Sequence, residues 1–305
     1  MRIVYMGTPG FAVPPLERLH SDGHDIAAVF TQPDRPKNRG MKVAFPPVKE
    51  FALKHGIQVY QPGTLKDGEA LELLRGLKCD LIAVVAYGKL LPREILELPP
   101  LGCVNIHGSI LPKYRGAAPI QWAVLNGDKE TGVTSMYMGE QLDAGDILLC
   151  KKTQIGEDET SGELHDRLSI LGAELLSETV EAIANGTAVR IPQDHGEATF
   201  APPLSKDMSP IDWAKPAREI KCKVCGLNPW PVATAQIQPG TVCKIFSVDI
   251  REQAHGTIPG EIVSAGAHGI DVACADGIVT IRELQAPGGK RMSAADYLRG
   301  NPICL

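Results

Sequence analysis

The chain has 305 residues, 44% apolar, 22% charged and 5% aromatic, with a formal net charge of −5. That length and apolar share allow a substantial core and exceed one ordinary domain, so two globular domains are expected, and the interspersed charges exclude a disordered chain or a coiled coil. The acidic balance excludes a protein coated in nucleic acid: residues 1–205 carry 20 Lys and Arg against 26 Asp and Glu, and residues 206–305 carry 11 against 10, so any polyanion must be met by a local patch.

In chain order, "RIVYM" is a short β-rich run ending at Gly7, and its apolar length is too brief for a signal peptide. The turn "MGTPG" that follows is not a G-x-G-x-x-G fingerprint, because Pro9 removes an amide donor and the glycine spacing is wrong, which disfavours a dinucleotide dehydrogenase. Helical spacing at Phe11, Leu16 and Leu19 stops at Gly23, and "DIAAVFT" is the next buried strand. "TQPDRPKNRGMKV" is the most basic stretch of the first domain; its polarity and two prolines predict a loop at the sheet's C-terminal side, placed to clamp phosphates. "PPVKEFALKHG" and "EALELLRGL" read as helices, "IQVY" and the fully apolar "CDLIAVVAY" as strands. Apolar strands alternating with amphipathic helices predict a doubly wound, mostly parallel, Rossmann-like α/β sheet.

"CVNIHGS" ends the next strand. Alternate side chains of a strand share a face, so Asn105 and His107 point the same way, at the end where open α/β sheets place their active sites. Imidazole and amide together would orient an amine and hold a developing oxyanion. A carboxylate to fix the imidazole tautomer is offered by Asp143 or Asp146 in "LDAGDIL". Ser109 has no G-x-S-x-G elbow around it, which argues against a Ser-His hydrolase.

A helix in "AAPIQWAVLNG" and two strand-like runs lead to a long helix opened by Thr160 and Glu163, at capping-box spacing, and closed by Gly186. Residues 188–208 mix Pro with polar residues and read as a linker between a first domain, 1–187, and a C-terminal domain, 209–305. In the latter, one helix and five short strands separated by Gly turns predict a small OB-like β-barrel. The helix carries Cys222 and Cys225. With no second pair of ligands at matching spacing, a helix-face coincidence is favoured over a zinc or redox site, and the eight scattered cysteines read as reduced thiols. No apolar stretch approaches the roughly 18 residues of a membrane helix.

"NIHGSILPKYRGAAPIQWA" followed by "LDAGD" resembles the signature of the folate-dependent formyltransferases, and "MGTPGFAVPPL", "VFTQPDRPKNRG", "VVAYGKLLP" and "NPWP" extend the likeness over nearly the whole chain, toward the branch of that family acting on methionyl-tRNA. The resemblance implies transfer of the formyl group of 10-formyltetrahydrofolate to the α-amine of methionyl initiator tRNA, with no metal. Residue by residue it implies catalysis by Asn105, His107 and Asp143, folate near Ser109, Ile110, Leu111 and Pro112 and near Tyr87, Gly88 and Leu90, and tRNA contacts from Arg35, Lys37, Arg39 and Lys42 and from the C-terminal barrel. Gln141 stands where many members have Gly before the Leu-Asp pair. The strand motif alone leaves open a relative acting on a sugar amine or a purine precursor, or a hydrolase releasing formate; an RNA-binding module without chemistry is the alternative from another class. The basic stretch and the barrel favour tRNA as substrate. The expected setting is the cytoplasm, as a monomer without membrane contact.

Overall fold

The computed structural model describes residues 1–37, 42–253 and 256–303, with the side chains of residues 35–37, 42 and 43 outside that description. The chain forms two compact units that interleave in sequence: Met1–Pro119, Thr131–Thr153 and His165–Ala201 make the first, and Ile120–Glu130, Gln154–Leu164 and Pro202–Leu305 the second.

The first half of the chain runs β1 (Arg2–Gly7), α1 (Val13–Ser21), β2 (Asp25–Phe30), β3 (Arg35–Lys37), β4 (Lys42–Ala44), α2 (Pro47–Lys54), β5 (Val59–Tyr60), α3 (Glu69–Leu77), β6 (Leu81–Val85), α4 (Arg93–Leu96) and β7 (Cys103–His107). It continues through β8 (Arg115–Gly116), α5 (Pro119–Leu125), β9 (Glu130–Tyr137), β10 (Ile147–Gln154), α6 (Ser161–Ala184) and β11 (Phe200–Ala201). Seven strands form one sheet in the order β10-β9-β7-β6-β1-β2-β5. The pairs β1–β2, β1–β6, β2–β5 and β6–β7 are parallel, and β7 pairs antiparallel with β9. The unbroken apolar runs of β1 and β6 follow from burial on both sheet faces: Ile3, Val4, Tyr5 and Met6 of β1 and Leu81, Ile82 and Ala83 of β6 are all fully buried. Each large aliphatic side chain among them contributes about 1.5–3 kcal/mol on leaving water.

The chain moves outward from β1 through β2 to β5, then returns to β6 on the other side of β1. That reversal opens a crevice beyond the C-terminal ends of β1 and β6, the topological switch point where doubly wound sheets bind ligands. The basic stretch beside it, expected to be a loop, begins and ends as a hairpin in which Arg35, Pro36 and Lys37 pair antiparallel with Ala44, Val43 and Lys42. Three-residue strands carry no alternation long enough to register in a sequence pattern. Residues 188–201 lack regular structure over most of their length, yet they bridge Ile191 to Ile147 and pair β11 in parallel with β8.

The second unit adds α7 (Ala217–Gly226), β12 (Ala233–Gln238), β13 (Thr241–Glu252), β14 (Ile262–Gly266), β15 (Gly269–Ala273), β16 (Gly277–Gln285), β17 (Met292–Ser293) and α8 (Ala294–Gly300). The five expected strands appear as a curled, antiparallel half-barrel in the order β12-β13-β16-β15-β14, with β17 added on β16. Register shifts between Ile245 and Val248 are the bulges that let the long β13 turn a corner and pair with both β12 and β16. Ile220, Val224, Ile245, Ile270, Val279, Ile281, Leu284 and Tyr297 fill its core.

Cys222 and Cys225 lie one turn apart on α7, Cys222 buried and Cys225 half-buried. Burial pushes both thiols up, Cys225 to about 11. Among the described residues no helix is long and apolar enough to cross a membrane.

Candidate active site

β7 delivers Asn105 and His107 to the sheet's C-terminal end, where Asn105 pairs with Val84 of β6 and Met136 of β9, and His107 with Thr134. His107 is buried and Asn105 half-buried. The His107 Nε2 lies 2.8 Å from the carbonyl oxygen of Tyr114. A carbonyl only accepts, so Nε2 carries a proton, and in the neutral form of the ring Nδ1 presents its lone pair to the other side. There it meets Asp143 Oδ2 at 3.6 Å. In that neutral form two acceptors face each other across the gap, an arrangement that takes up a donor such as an amine; with the ring protonated the same two groups form an ion pair. Among the described residues the Asn105 amide makes no hydrogen bond, which leaves its two donors for a ligand.

Asp143 is held in turn. Its Oδ2 accepts from the Gly116 main-chain N–H at 2.9 Å, and its backbone sits at φ 49. Gly145 packs so tightly that a Cβ there would lie 1.8 Å from the Tyr137 carbonyl oxygen, which explains the glycine of "LDAGD". Asp146, the other candidate carboxylate, turns instead to Arg190, whose Nε donates at 2.9 Å. The structure therefore separates the two aspartates that sequence spacing left equivalent.

The "SILP" segment follows His107 directly. Ser109 is buried, with Oγ donating to the Lys113 carbonyl at 2.6 Å, and Thr134 Oγ1 donates to the Ser109 carbonyl at 2.6 Å and accepts from Leu111 N at 3.2 Å. The hydroxyl of Ser109 is used within the turn, so Ile110 and Pro112, both half-buried, are the exposed part of this wall while Leu111 is buried. On β6's side, an open cleft of about 420 Å³ is lined by Thr8, Gln32, Pro33, Phe45, Pro46, Ala86, Tyr87 and Gly88 among others. It occupies the switch-point crevice. Thr8 Oγ1 and Gln32 Nε2 both donate to the Tyr87 carbonyl at 3.0 Å, and the Tyr87 ring is buried. Tyr87 thus shapes the cleft through its main chain, with Gly88 beside it at φ 83, whereas Leu90 is exposed. Of the basic residues, Arg39 and the side chains of Arg35, Lys37 and Lys42 lie outside the described residues; the hairpin backbone that carries the latter three adjoins the cleft through Ala44 and Phe45.

Tyr114, Gly116, Thr134 and Gln193 went unmarked in the sequence. The first two act through main-chain atoms, which any residue type possesses. Only the glycine left a trace: Gly116 is at φ 123, and a Cβ would lie 2.7 Å from the Ala201 carbonyl oxygen.

Comparison with known proteins places the chain in a family. Residues 1–180 match the family described as formyl transferase, and residues 203–302 match the formyl transferase C-terminal domain. The methionyl-tRNA formyltransferase of Acetivibrio thermocellus is 49% identical over 304 residues, covering 99% of this chain and 97% of that protein; that of Clostridioides difficile is 45% identical over 303 residues, covering 99% and 98%. Among solved structures, an N-formyltransferase from Helicobacter canadensis, in complex with folinic acid and dTDP-3-aminofucose, has the same fold with a TM-score of 0.68 at 17% identity, over 95% of this chain and 99% of that one. HypX from Aquifex aeolicus, in complex with tetrahydrofolic acid, gives a TM-score of 0.63 at 18% identity over 98% of this chain and 47% of that one. The chain belongs to the formyl transferase family, alongside the methionyl-tRNA formyltransferases.

Proposed function

We propose that the protein transfers the formyl group of 10-formyltetrahydrofolate to the α-amino group of methionyl initiator tRNA, with Asn105, His107 and Asp143 as its catalytic residues. The observation that carries the assignment of roles is the paired acceptors, His107 Nδ1 and Asp143 Oδ2, 3.6 Å apart beside an unpartnered amide. An attacking amine must lose a proton while charge builds on the formyl oxygen, and these groups answer those two needs.

The folate supplies the formyl carbon as co-substrate. Its ring fits the switch-point cleft, where Pro33, Phe45 and Pro46 offer apolar faces and Thr8 and Gln32 polar edges; the "SILP" turn and Gly88 are assigned to the same binding site. Asn105 donates to the formyl oxygen as it becomes negative. His107 Nδ1 takes the proton released by the attacking amine and gives it to the departing folate nitrogen, while Asp143 stabilises the imidazolium formed in between. Tyr114 O keeps the tautomer that makes Nδ1 the base. No covalent enzyme intermediate is required, in keeping with a Ser109 hydroxyl committed to its own turn.

In this reading catalysis belongs to residues 1–187, joined through 188–208 to a tRNA-binding part, 209–305. Arg35, Lys37, Arg39 and Lys42 of the hairpin region hold the acceptor end beside the cleft. The protein works in the cytoplasm as a monomer, free of membrane.

The test is formyl transfer from 10-formyltetrahydrofolate to purified methionyl initiator tRNA, with free methionine and uncharged tRNA as controls. Product on the charged tRNA alone is expected. His107→Ala and Asp143→Ala should each lower kcat by about 10²–10⁴ and Asn105→Ala by about 10²–10³, with cooperative thermal unfolding retained. Wild-type turnover in any of the three removes that residue from the mechanism, and folate consumption without formylated tRNA moves the substrate to another amine.

A further inference from the structure

We infer that Gln193 is a positioning residue for the transfer, holding Asp143 through both ends of its side-chain amide; the inference rests on the reading of His107 and Asp143 given above. Gln193 lies in the stretch whose composition reads as linker, yet it is 7% exposed. Its Nε2 donates to the main-chain carbonyls of Asp143 at 3.0 Å and Gly145 at 2.7 Å. Its Oε1 accepts from Arg115 Nε at 3.2 Å and from the second guanidinium nitrogen at 2.7 Å. Carbonyls only accept and a guanidinium only donates, so the neighbours themselves fix which end of the amide is which.

Arg115 occupies the position between the two main-chain groups of the site. Tyr114, before it, accepts from His107 Nε2; Gly116, after it, donates to Asp143 Oδ2. A closed circuit results: Asp143 carboxylate to Gly116 N–H, along the chain to Arg115, across its guanidinium to Gln193, and back to the Asp143 carbonyl. Asp143 is gripped at the side chain from one direction and at the backbone from the other. Both grips help to hold φ 49, a left-handed conformation that Asp tolerates better than most L residues but that still costs free energy.

The circuit also explains why the residue is an amide. Glutamate would bind Arg115 at least as well, since among the described residues the buried guanidinium has no carboxylate partner and is satisfied by Gln193 and by His195 Nδ1 at 3.1 Å. Its other oxygen, however, would face the Asp143 and Gly145 carbonyls with nothing to donate. Gln193→Glu therefore keeps the link to Arg115 and severs the one to Asp143, a selective cut.

The experiment is a double-mutant cycle on the full-length protein, with 10-formyltetrahydrofolate and methionyl initiator tRNA as substrates. Gln193→Glu should lower kcat about 100-fold, the scale of a misplaced catalytic group, while KM for both substrates holds. In the Asp143→Ala background the same change should cost nothing further, because Gln193 acts through Asp143. An equal loss in that background, or wild-type kcat in both Gln193→Glu and Gln193→Ala, overturns the inference. Absence of cooperative unfolding in both variants would overturn it too, assigning Gln193 to the fold. The two readings fail separately: an inactive Asp143→Ala beside active Gln193 variants removes only the positioning role, whereas an active Asp143→Ala removes the site itself.

Discussion

Gly116 shows how one residue serves backbone geometry and chemistry together. Its N–H anchors the Asp143 carboxylate, its φ of 123 lies where L residues are strained, and a Cβ would press on the Ala201 carbonyl at 2.7 Å. Gly116→Ala should lower the unfolding free energy by about 1–3 kcal/mol and lower kcat at a temperature where the variant is still fully folded. Denaturant titration and turnover on the same sample separate the effects; unchanged kcat would mean that strain at position 116 does not displace the N–H from Asp143. The side chains of the candidate site were legible in the sequence because polar residues at a strand end are conspicuous: Asn105 and His107 share a face by alternation, and "LDAGD" advertises a turn. What places them was not legible. Tyr114 contributes a carbonyl and Gly116 an amide. Gln193 sits 50 residues beyond Asp143 in a stretch without periodicity, where neither spacing nor composition links the two.

At the scale of elements, the start of α6 is the clearest agreement between local sequence and local structure. Thr160 N donates to Glu163 Oε2 at 2.9 Å and Glu163 N donates to Thr160 Oγ1 at 3.2 Å, the reciprocal pair of a capping box. Thr160→Ala should cost about 1 kcal/mol. Combined with Glu163→Ala the loss should fall short of the sum of the two single losses, since each change already removes one shared contact; strict additivity in thermal melts would show that the box is not the origin. The strands β1, β2, β6 and β7 of the main sheet and the five strands of the half-barrel were readable for a similar reason, each being long enough to bury a pattern between turn residues. The hairpin β3–β4 and the pair β8–β11 were not, because strands of two or three residues owe their existence to the partner they meet, and that partner is absent from any local window.

At the scale of the whole molecule, folding and chemistry divide the chain differently. The residues assigned to catalysis run continuously to position 187, whereas the second compact unit takes Ile120–Glu130 and Gln154–Leu164 out of that span. Within this unit Gly162 N and Ser161 Oγ both donate to the Asn228 carbonyl, at 3.1 and 2.7 Å, Lys221 pairs with Asp158 at 2.5 Å, and Trp122 Nε1 donates to the Pro202 carbonyl at 2.8 Å. Gly226 approaches so closely that a Cβ would lie 2.7 Å from Leu125 Cγ. A fragment ending at Ala201 keeps every strand of the main sheet but loses all of these partners. Exchanging the Ser161 bond for water and uncovering apolar surface near Leu125 each cost about 1 kcal/mol, against the roughly 5–15 kcal/mol that hold an ordinary domain together. The fragment should therefore unfold at a lower temperature than the full chain, with amides of residues 120–130 and 154–164 exchanging rapidly with solvent while those of β1 and β6 stay protected longer. Hydrogen exchange on both proteins reads this directly. Equal protection of the two segments in the fragment would mean that they fold with the sheet on their own, and that the C-terminal part uses them only as a platform.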